Sequence, residues 1–302
     1  MSELSPHTIA LRTRLQPFIN RVLAAEAAVV GFVVIGSVAN GSGGPDSDID
    51  AVAFLHPFDP YILPAEALWD PRDDTFHAIF TTDPVRQKHG LPLDILRLDW
   101  QTWSAPAHVW PPQRCAELHY GWLAYDPTGA VAALIAARTV YDEKTRQNEL
   151  DTAITWLDQH LNWGAPAEKW ARFGPLVAHD RLQAAFSYLV GAIFALNGRH
   201  RPWRNRQMKE LLQLPWLPTD DEQLLLTAAN APGLDFAGYD RRFTALQTQF
   251  AAIRERAKQT GLYSEDPISE AFIRTHEEPG RAWNMHEWTK HRQARRRPLL
   301  NE

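Results

Sequence analysis

One segment of the chain, from Gly36 to Asp50, limits most strongly what this sequence can fold into. It reads GSVANGSGGPDSDID and follows an apolar run at positions 31–35. Such a run predicts a buried strand, and the glycines and the proline after it predict a loop. A second apolar run, Ile49 to Leu55, predicts another strand directly after that loop. The segment therefore predicts a strand, a glycine-rich turn and a second strand in one local unit.

Two aspartates, Asp48 and Asp50, stand at the start of the second predicted strand. Side chains alternate faces along a strand, so both carboxylates point to one side while Ile49 points into the core. Neighbouring carboxylates repel each other unless a cation lies between them. A hard divalent ion such as Mg²⁺ prefers oxygen ligands and commonly carries phosphate. The pair therefore predicts a magnesium site.

The turn between the two strands has the features of an anion site. Gly36 permits a close approach of the main chain to a ligand, and Ser37 offers a hydroxyl group. If residues 38–40 form a helical turn, their free N–H groups can bind a phosphate. The loop would then bring a phosphate and a magnesium ion together.

A third acid, Asp94, interrupts the apolar strand predicted over Leu91 to Leu98. Burying an unpaired charge is costly, so an isolated acid in such a run indicates a functional reason. Transfer of a phosphoryl or nucleotidyl group with two metals requires a carboxylate that binds a metal or takes a proton from the attacking hydroxyl. Asp99 is the alternative, but it lies near the strand end and by alternation faces away from Asp94. We therefore prefer Asp94.

The bulk properties of the chain are those of an ordinary globular protein. Its 302 residues suffice for two domains, and its 45% hydrophobic and 22% charged residues are usual proportions. The net charge of -5 argues against broad nucleic-acid binding but leaves room for a local basic groove. Cys115 has no partner for an intrachain disulfide, and neither a signal peptide nor a membrane span is recognisable. We expect a cytoplasmic protein that does not bind membranes.

The order of the predicted elements indicates an α+β fold with two domains, 1–140 and 141–302. A small mixed β-sheet with helices is expected in the first domain and an all-helical bundle in the second. In the first, a helix is predicted over His7 to Ala28 and a strand over Phe76 to Thr81, whereas the proline-rich segment 56–74 reads as a loop. Helices of the second domain are predicted over Arg146 to Asn162, Leu176 to Asn197, Asp220 to Asn230, Tyr239 to Thr260 and Ala282 to Arg297.

The twelve tryptophans allow two interpretations. Trp100, Trp103, Trp110 and Trp122 could stack on a sugar or a base, or they could fill the core. We favour packing, because large aromatic side chains contribute most to cores. The histidines lack the close His/Cys spacing of a zinc site, and no Walker A motif occurs.

The spacing of these motifs resembles the signature of the DNA polymerase β-type nucleotidyltransferase superfamily. In that signature, a hydrophobic residue and Gly-Ser are followed, across a short loop, by Asp-hydrophobic-Asp. This chain has Gly36-Ser37, ten intervening residues and then Asp48-Ile49-Asp50. The run PDSDID is especially similar to the minimal nucleotidyltransferases and aminoglycoside adenylyltransferases of that superfamily. Members carry a third acid on a later strand, as Asp94 would be, and several have a C-terminal helical bundle.

The resemblance implies a nucleotidyltransferase catalytic domain over 1–140 that uses two Mg²⁺ ions. Asp48 and Asp50 would bind the metal. Asp94 would be a metal ligand, the general base, or both. The phosphates of ATP or another NTP would contact Gly36 and Ser37, with Ser47 as a further nucleotide contact.

The chain departs from the commonest family pattern in its glycine-rich loop. Asn40 stands where many minimal members have an arginine, and the Ser-Gly-Gly run at 42–44 reads as unusually flexible. The basic segment 197–209 lies at the end of the predicted helix Leu176 to Asn197 and could supply the missing charge to the triphosphate. Arg204 and Lys209 are the candidates, and a solvated turn between two helices is the alternative interpretation.

Three hypotheses follow for the function. The acidic net charge and the helical second domain favour a small, cationic, aminoglycoside-like compound that receives AMP on a hydroxyl while pyrophosphate is released. The alternative is a macromolecule, a protein side chain or a tRNA end, with the tail Arg292 to Arg297 supplying the electrostatics. A nucleotide-binding module without turnover is the third, and the presence of all three acids argues against it. The sequence does not predict an oligomeric state.

Overall fold

The computed structural model describes residues 4–162, 164–231, 233–276, 289–290 and 292–293. Two compact units, Met1–Val140 and Tyr141–Glu302, divide the chain. A mixed sheet lies in the N-terminal unit and helices make up the C-terminal unit, which confirms the predicted α+β class. The predicted helix Ala282 to Arg297, with its arginine-rich tail, lies largely outside the described residues.

The N-terminal unit contains a six-stranded sheet with the strand order β4-β3-β5-β2-β1-β6. Strands β2 and β5 pair in parallel, and the other four pairs are antiparallel. The elements follow in the order α1 (Pro6–Phe18), a π-helical turn (Ile19–Leu23), β1 (Val29–Val34), α2 (Gly36–Asn40), β2 (Ile49–Leu55), β3 (Glu66–Asp70), β4 (Thr75–His77), α3 (Pro84–His89), β5 (Leu91–Asp99), α4 (Trp100–Ser104), α5 (Pro112–His119), β6 (Trp122–Tyr125) and α6 (Ala130–Arg138).

The predicted strands β1, β2 and β5 are present, but two further strands were not predicted. Strand β3 lies inside segment 56–74, which the sequence predicted to be a loop, and β6 precedes a proline. The prolines of segment 56–74 obscure a run whose residues Ala67, Leu68 and Trp69 are all buried. Strand β4 is shorter than the predicted Phe76 to Thr81 and begins one residue earlier.

The first helix ends earlier than the sequence predicts. Ser5 caps α1, because its Oγ accepts a hydrogen bond from the backbone N–H of Thr8. Pro17 lies in the last turn, where its missing N–H and its ring disturb the regular hydrogen-bond ladder. The π-helical turn follows directly, and no helix continues to Ala28.

The sheet separates two apolar clusters. Alternate residues of β2 and β5, among them Ile49, Ala51, Leu93 and Ile95, pack with α1 on one face. The opposite face packs against α5 and α6; its buried residues are Val33, Ile35, Val52, Phe54, Leu98, Trp110, Leu118 and Val131. Because Asp50 and Asp94 alternate with the first set, they belong to this second face.

The four tryptophans weighed as stacking platforms serve packing. Trp110 is buried, and Trp100 and Trp103 pack against the same apolar cluster. Trp122 packs against the cluster on the α1 side. The packing interpretation is therefore confirmed for all four.

The C-terminal unit is helical in its described residues. Its helices are α7 (Glu143–Leu161), α8 (Pro166–Leu196), α9 (Arg204–Leu211), α10 (Glu222–Ala229), α11 (Phe236–Gln259) and α12 (Pro267–His276). Non-helical dihedral angles at Gly174 (φ 72°, ψ 166°) divide α8 into a first segment from Pro166 and a second segment that begins beside the predicted Leu176. Gly198, with φ of 66°, follows the C-cap of α8 as the sequence predicts. None of the described helices combines the length and hydropathy needed to cross a lipid bilayer.

Candidate active site

The parallel pairing of β2 and β5 places two of the predicted acids side by side. Asp50 is in register with Asp94, so their side chains leave the same face of the sheet next to each other. Asp48 precedes β2 by one residue and by alternation belongs to the same face. All three side chains keep contact with solvent, and Asp94 is the most exposed of them. The edge of β2 and β5 therefore carries a row of carboxylates.

The surroundings of Asp94 disfavour its charge. Although Asp94 is exposed, partial desolvation by its neighbours, together with the negative charges of Asp48 and Glu66, raises the pKa of Asp94 above its usual range. Glu66 lies on β3 directly opposite Asp94 in the antiparallel β3–β5 pair. Sequence reasoning missed Glu66, because it lies in the segment that was read as a loop. A carboxyl group with a raised pKa is a better proton acceptor once it is ionised.

The alternative third acid, Asp99, has a structural role. Its carboxylate accepts hydrogen bonds from the backbone N–H groups of Gln101 at 3.3 Å and Thr102 at 3.0 Å. The hydroxyl of Thr102 donates a further bond at 2.5 Å. Asp99 is thus the N-cap of α4, and these bonds lower its pKa. Its register partner is Leu55, at the opposite end of β2 from Asp50.

The three predicted metal ligands are less convergent than a single ion would require. The ligand atoms of Asp48, Asp50 and Asp94 do not all lie within 4.8 Å of one another. Residues paired across strands have Cβ atoms about 5 Å apart, so rotation of their side chains is enough to bring two carboxylates to a shared cation. The backbone thus permits the predicted site, and its metal occupancy stays a prediction.

A second group of ligand-type side chains lies at the far edge of the sheet. Asp70, Asp73 and His77 have ligand atoms within 4.8 Å of one another, and among the described residues this is the only group of three that does. Arg72 donates to both oxygens of Asp70, at 2.9 and 2.5 Å, and holds the pKa of Asp70 well below its usual range. Arg86 contacts the ring of His77. Since arginines already contact Asp70 and His77, and Thr75 donates to Asp73, we keep the predicted metal site at Asp48, Asp50 and Asp94.

The glycine-rich turn adopts a defined shape. Gly36 has φ of 78°, a conformation that favours glycine, and begins the short helix α2 together with Ser37. The hydroxyl of Ser37 lies 3.4 Å from the hydroxyl of Ser47. Ser47 also accepts a hydrogen bond of 2.9 Å from the N–H of Gly44. The hydroxyls of Ser37 and Ser47, two of the predicted nucleotide contacts, therefore link the turn to the segment just before β2.

Asn40 stabilises the turn at its own end. Its side-chain oxygen accepts hydrogen bonds from the N–H of Ser42 at 3.1 Å and the hydroxyl of Ser42 at 2.7 Å. Asparagine side chains commonly support turns in this way. The residue in place of the arginine of similar proteins thus has a local structural role, and it supplies no positive charge.

The two basic candidates lie in the C-terminal unit. Arg204 is the first residue of α9 and Lys209 lies in its last turn. Both side chains are exposed. Their predicted role in triphosphate binding stays a prediction.

Comparison with known proteins gives limited similarity. No protein-family model matches the chain, and no curated protein matches it. One solved structure, a nucleotidyltransferase-like protein from Exiguobacterium sibiricum, is similar with a TM-score of 0.42 and 12% sequence identity. The similarity covers 92% of this chain and 83% of that chain. At this level of similarity, a functional assignment depends on the residues of this chain itself.

Proposed function

We propose that the chain is a Mg²⁺-dependent nucleotidyltransferase that moves an NMP group, AMP from ATP in the simplest case, to a hydroxyl of a small-molecule acceptor. One observation carries the proposal: Asp50 and Asp94 are in register on parallel strands, and Asp50 follows the Gly36-Ser37 turn within one strand-turn-strand unit. Three acids on one sheet face beside a turn of this kind suit a metal-bound triphosphate.

The residues would divide the chemistry between them. Asp48 and Asp50 would hold Mg²⁺, which when bound neutralises negative charge on the phosphates. The acceptor oxygen would form a bond to the α-phosphorus, the bond between that phosphorus and the bridging oxygen would break, and pyrophosphate would leave. Asp94 would take the proton of the acceptor hydroxyl, a role that its raised pKa supports.

The nucleotide would be oriented by the turn. Gly36 and Ser37 would contact the β- and γ-phosphates, and the neighbouring hydroxyl of Ser47 would be a further donor. The exposed Arg204 and Lys209 of α9 are proposed as additional contacts to the triphosphate. An aminoglycoside-like acceptor with positive charges would suit a face that carries several acids.

The test is transfer of label from α-³²P-labelled ATP, with Mg²⁺, to a panel of hydroxyl compounds with and without amino groups. The double variant D48N/D50N should lose at least about 10³-fold in turnover while it keeps its melting temperature, because it removes charge and not volume. The exposed Asp46 gives a matched control, since D46N lies in the same loop and removes one charge. Full activity of D48N/D50N would refute the assignment of the metal ligands.

A further inference from the structure

The N-cap and the first turn of α1 hold the glycine-rich loop through hydrogen bonds. The N–H of Ser5 donates to the carbonyl of Gly41 at 2.9 Å, and the Ser5 hydroxyl donates to the carbonyl of Gly43 at 2.7 Å. The hydroxyl of Thr8, which is fully buried, accepts a bond of 2.9 Å from the N–H of Gly43. The predicted flexibility of the Ser-Gly-Gly run is therefore wrong for Gly43, whose two backbone polar groups are both held.

Arg12, one turn further along α1, holds the short helix α2. Its Nε and Nη2 donate to the carbonyl of Val38 at 3.2 and 2.9 Å, and Nη2 also donates to the carbonyl of Ala39 at 2.7 Å. The guanidinium lies over the ring of Trp122, 4.5 Å from its centroid. The Arg12 side chain therefore extends from α1, and its position is fixed by its contact with Trp122 of β6, which is distant in sequence.

A helix of five residues cannot keep its own geometry. The last carbonyls of any helix have no partner within the helix, and an isolated turn is unstable because nucleation costs more than one hydrogen bond returns. In α2, the carbonyls of Val38 and Ala39 find that partner in Arg12, and the positive charge also suits the C-terminal end of the helix. Ser37, a proposed phosphate contact, immediately precedes Val38.

We propose that Arg12 is a positioning residue for nucleotide binding. It donates hydrogen bonds to two carbonyls of α2, the helix that contains the Gly36-Ser37 turn, and the ring of Trp122 holds its guanidinium in place. This inference rests on the proposed function. A turn that is already in its binding conformation avoids the entropy cost of ordering when the nucleotide arrives. Loss of Arg12 should therefore weaken nucleotide binding and have a smaller effect on the chemical step.

The test compares R12M with a matched control, R21M, in the full chain. Arg21 also donates to a backbone carbonyl, that of Pro71 at 2.9 Å, and also lies over a tryptophan ring, 5.1 Å from the centroid of Trp69. Both variants thus lose one carbonyl-bound, ring-stacked arginine from the same N-terminal segment. R12M should raise KM for Mg-ATP about tenfold, with kcat within about threefold of wild type, whereas R21M should change neither.

Affinity for Mg-ATP by calorimetry gives a second readout that needs no acceptor. Weakening of about tenfold in R12M, with wild-type affinity in R21M and partial recovery in R12K, would support the inference. R12K also serves if R12M does not fold, because lysine keeps the charge and one donor but not the paired donation of a guanidinium. Equal affinities in R12K, R21M and wild type would overturn the inference. A wild-type chain that binds no nucleotide with Mg²⁺ would instead refute the proposed function.

Discussion

Two groups of acidic side chains, one in each unit, have different surroundings. In the N-terminal unit, Asp48, Asp94 and Glu66 lie near one another, and within the described part of the chain none of the three side chains has a hydrogen bond or an ion pair. In the C-terminal unit, Asp151 is buried and accepts bonds from Tyr263 at 2.6 Å and from Arg274 at 2.8 and 2.9 Å. The first arrangement costs stability, whereas the second satisfies its own charge.

The paired acids of the C-terminal unit form a connected network. Glu270, also buried, accepts bonds from the N–H of Ser264 at 2.8 Å and its hydroxyl at 2.5 Å. Burial and the charge of Asp151 raise the pKa of Tyr263, so its hydroxyl stays a proton donor. These bonds join α7, α12 and the segment before α12. Buried and paired charges of this kind stabilise the fold, and we assign these residues no catalytic role.

These two arrangements distinguish functional acids from structural ones. A buried acid that accepts hydrogen bonds from several donors has a structural role, and its removal should lower the stability of the fold. By contrast, Asp48 and Glu66, whose charges raise the pKa of Asp94, are held beside it by the fold at a cost, and a cation from solution can neutralise this row of acids. Four measurements test this contrast.

The largest expected effect is on turnover in D94N. Removal of the proposed base should lower kcat about 10²- to 10³-fold. The melting temperature should stay the same or rise slightly, because the charges of Asp48 and Glu66 lose a like-charged neighbour. E66Q is the matched control, since it removes a like charge from the same sheet face, and its kcat should fall less than about tenfold. Equal losses in both variants would mean that charge density alone matters.

In the C-terminal unit, R274M should destabilise the fold by about 3 kcal/mol, because Asp151 stays buried and loses its ion pair. Urea unfolding measures the change. The exposed pair of Lys258 and Glu255 gives the control: K258M removes a bond of 2.6 Å and should cost under about 1 kcal/mol. If the two variants were equally stable, the network would not fix the fold.

A pH series tests the cost of a buried charge directly. Burial and, to a smaller extent, the positive charge of Arg181 lower the pKa of Lys169 from 10.5 to about 8, and the negative charge of Asp158 opposes this shift. Between these values the unfolded chain binds more protons, so the free energy of unfolding should rise with pH, by at most about 1.4 kcal/mol per pH unit from this group. K169M should lack that rise. The exposed Lys144 supplies the control, and K144M should follow wild type from pH 8 to 10.

The smallest effect is expected for D99A. Loss of the N-cap of α4 should cost about 1 kcal/mol in the free energy of unfolding. Turnover of the folded enzyme should be unchanged, because Asp99 lies at the far end of β5 from Asp94. A loss of activity in D99A comparable to that in D94N would contradict the choice of Asp94 as the third acid.

Local pattern was enough to predict much of the fold. Strand β2 has its predicted bounds, and β5 extends one residue beyond them, because apolar runs next to glycine and proline define strands directly. The sequence did not predict where β3 would pair, since it reaches β5 only through a long connection. The predicted start of a helix at Leu176 lies next to the backbone break at Gly174, whereas the shorter helical segment that precedes this break, from Pro166, was not predicted.

The candidate site was predictable to a smaller extent. Asp48 and Asp50 are two residues apart and side chains alternate along a strand, so the sequence alone places both on one face of the sheet. The contacts of Arg12 with α2 span 26 and 27 residues, and nothing in an amphipathic helix indicates which arginine turns toward a distant carbonyl. Glu66 was missed for the same reason as β3. Long-range contacts, and not residue types, are what the sequence left undetermined.

The connection from β2 to β5, residues 56–90, has a consequence for how this protein could diversify. It leaves the sheet after β2, forms the β3–β4 hairpin at the outer edge, and returns so that β3 lies beside β5. The register of Asp50 with Asp94 belongs to β2 and β5 alone. A hairpin of different length or sequence could therefore be grafted at this edge to alter the wall next to Asp94 while the paired aspartates keep their spacing. Because Trp69 of β3 is fully buried in the core, such a graft has to keep the core-facing side of β3, and the residues on its other face are the ones to vary.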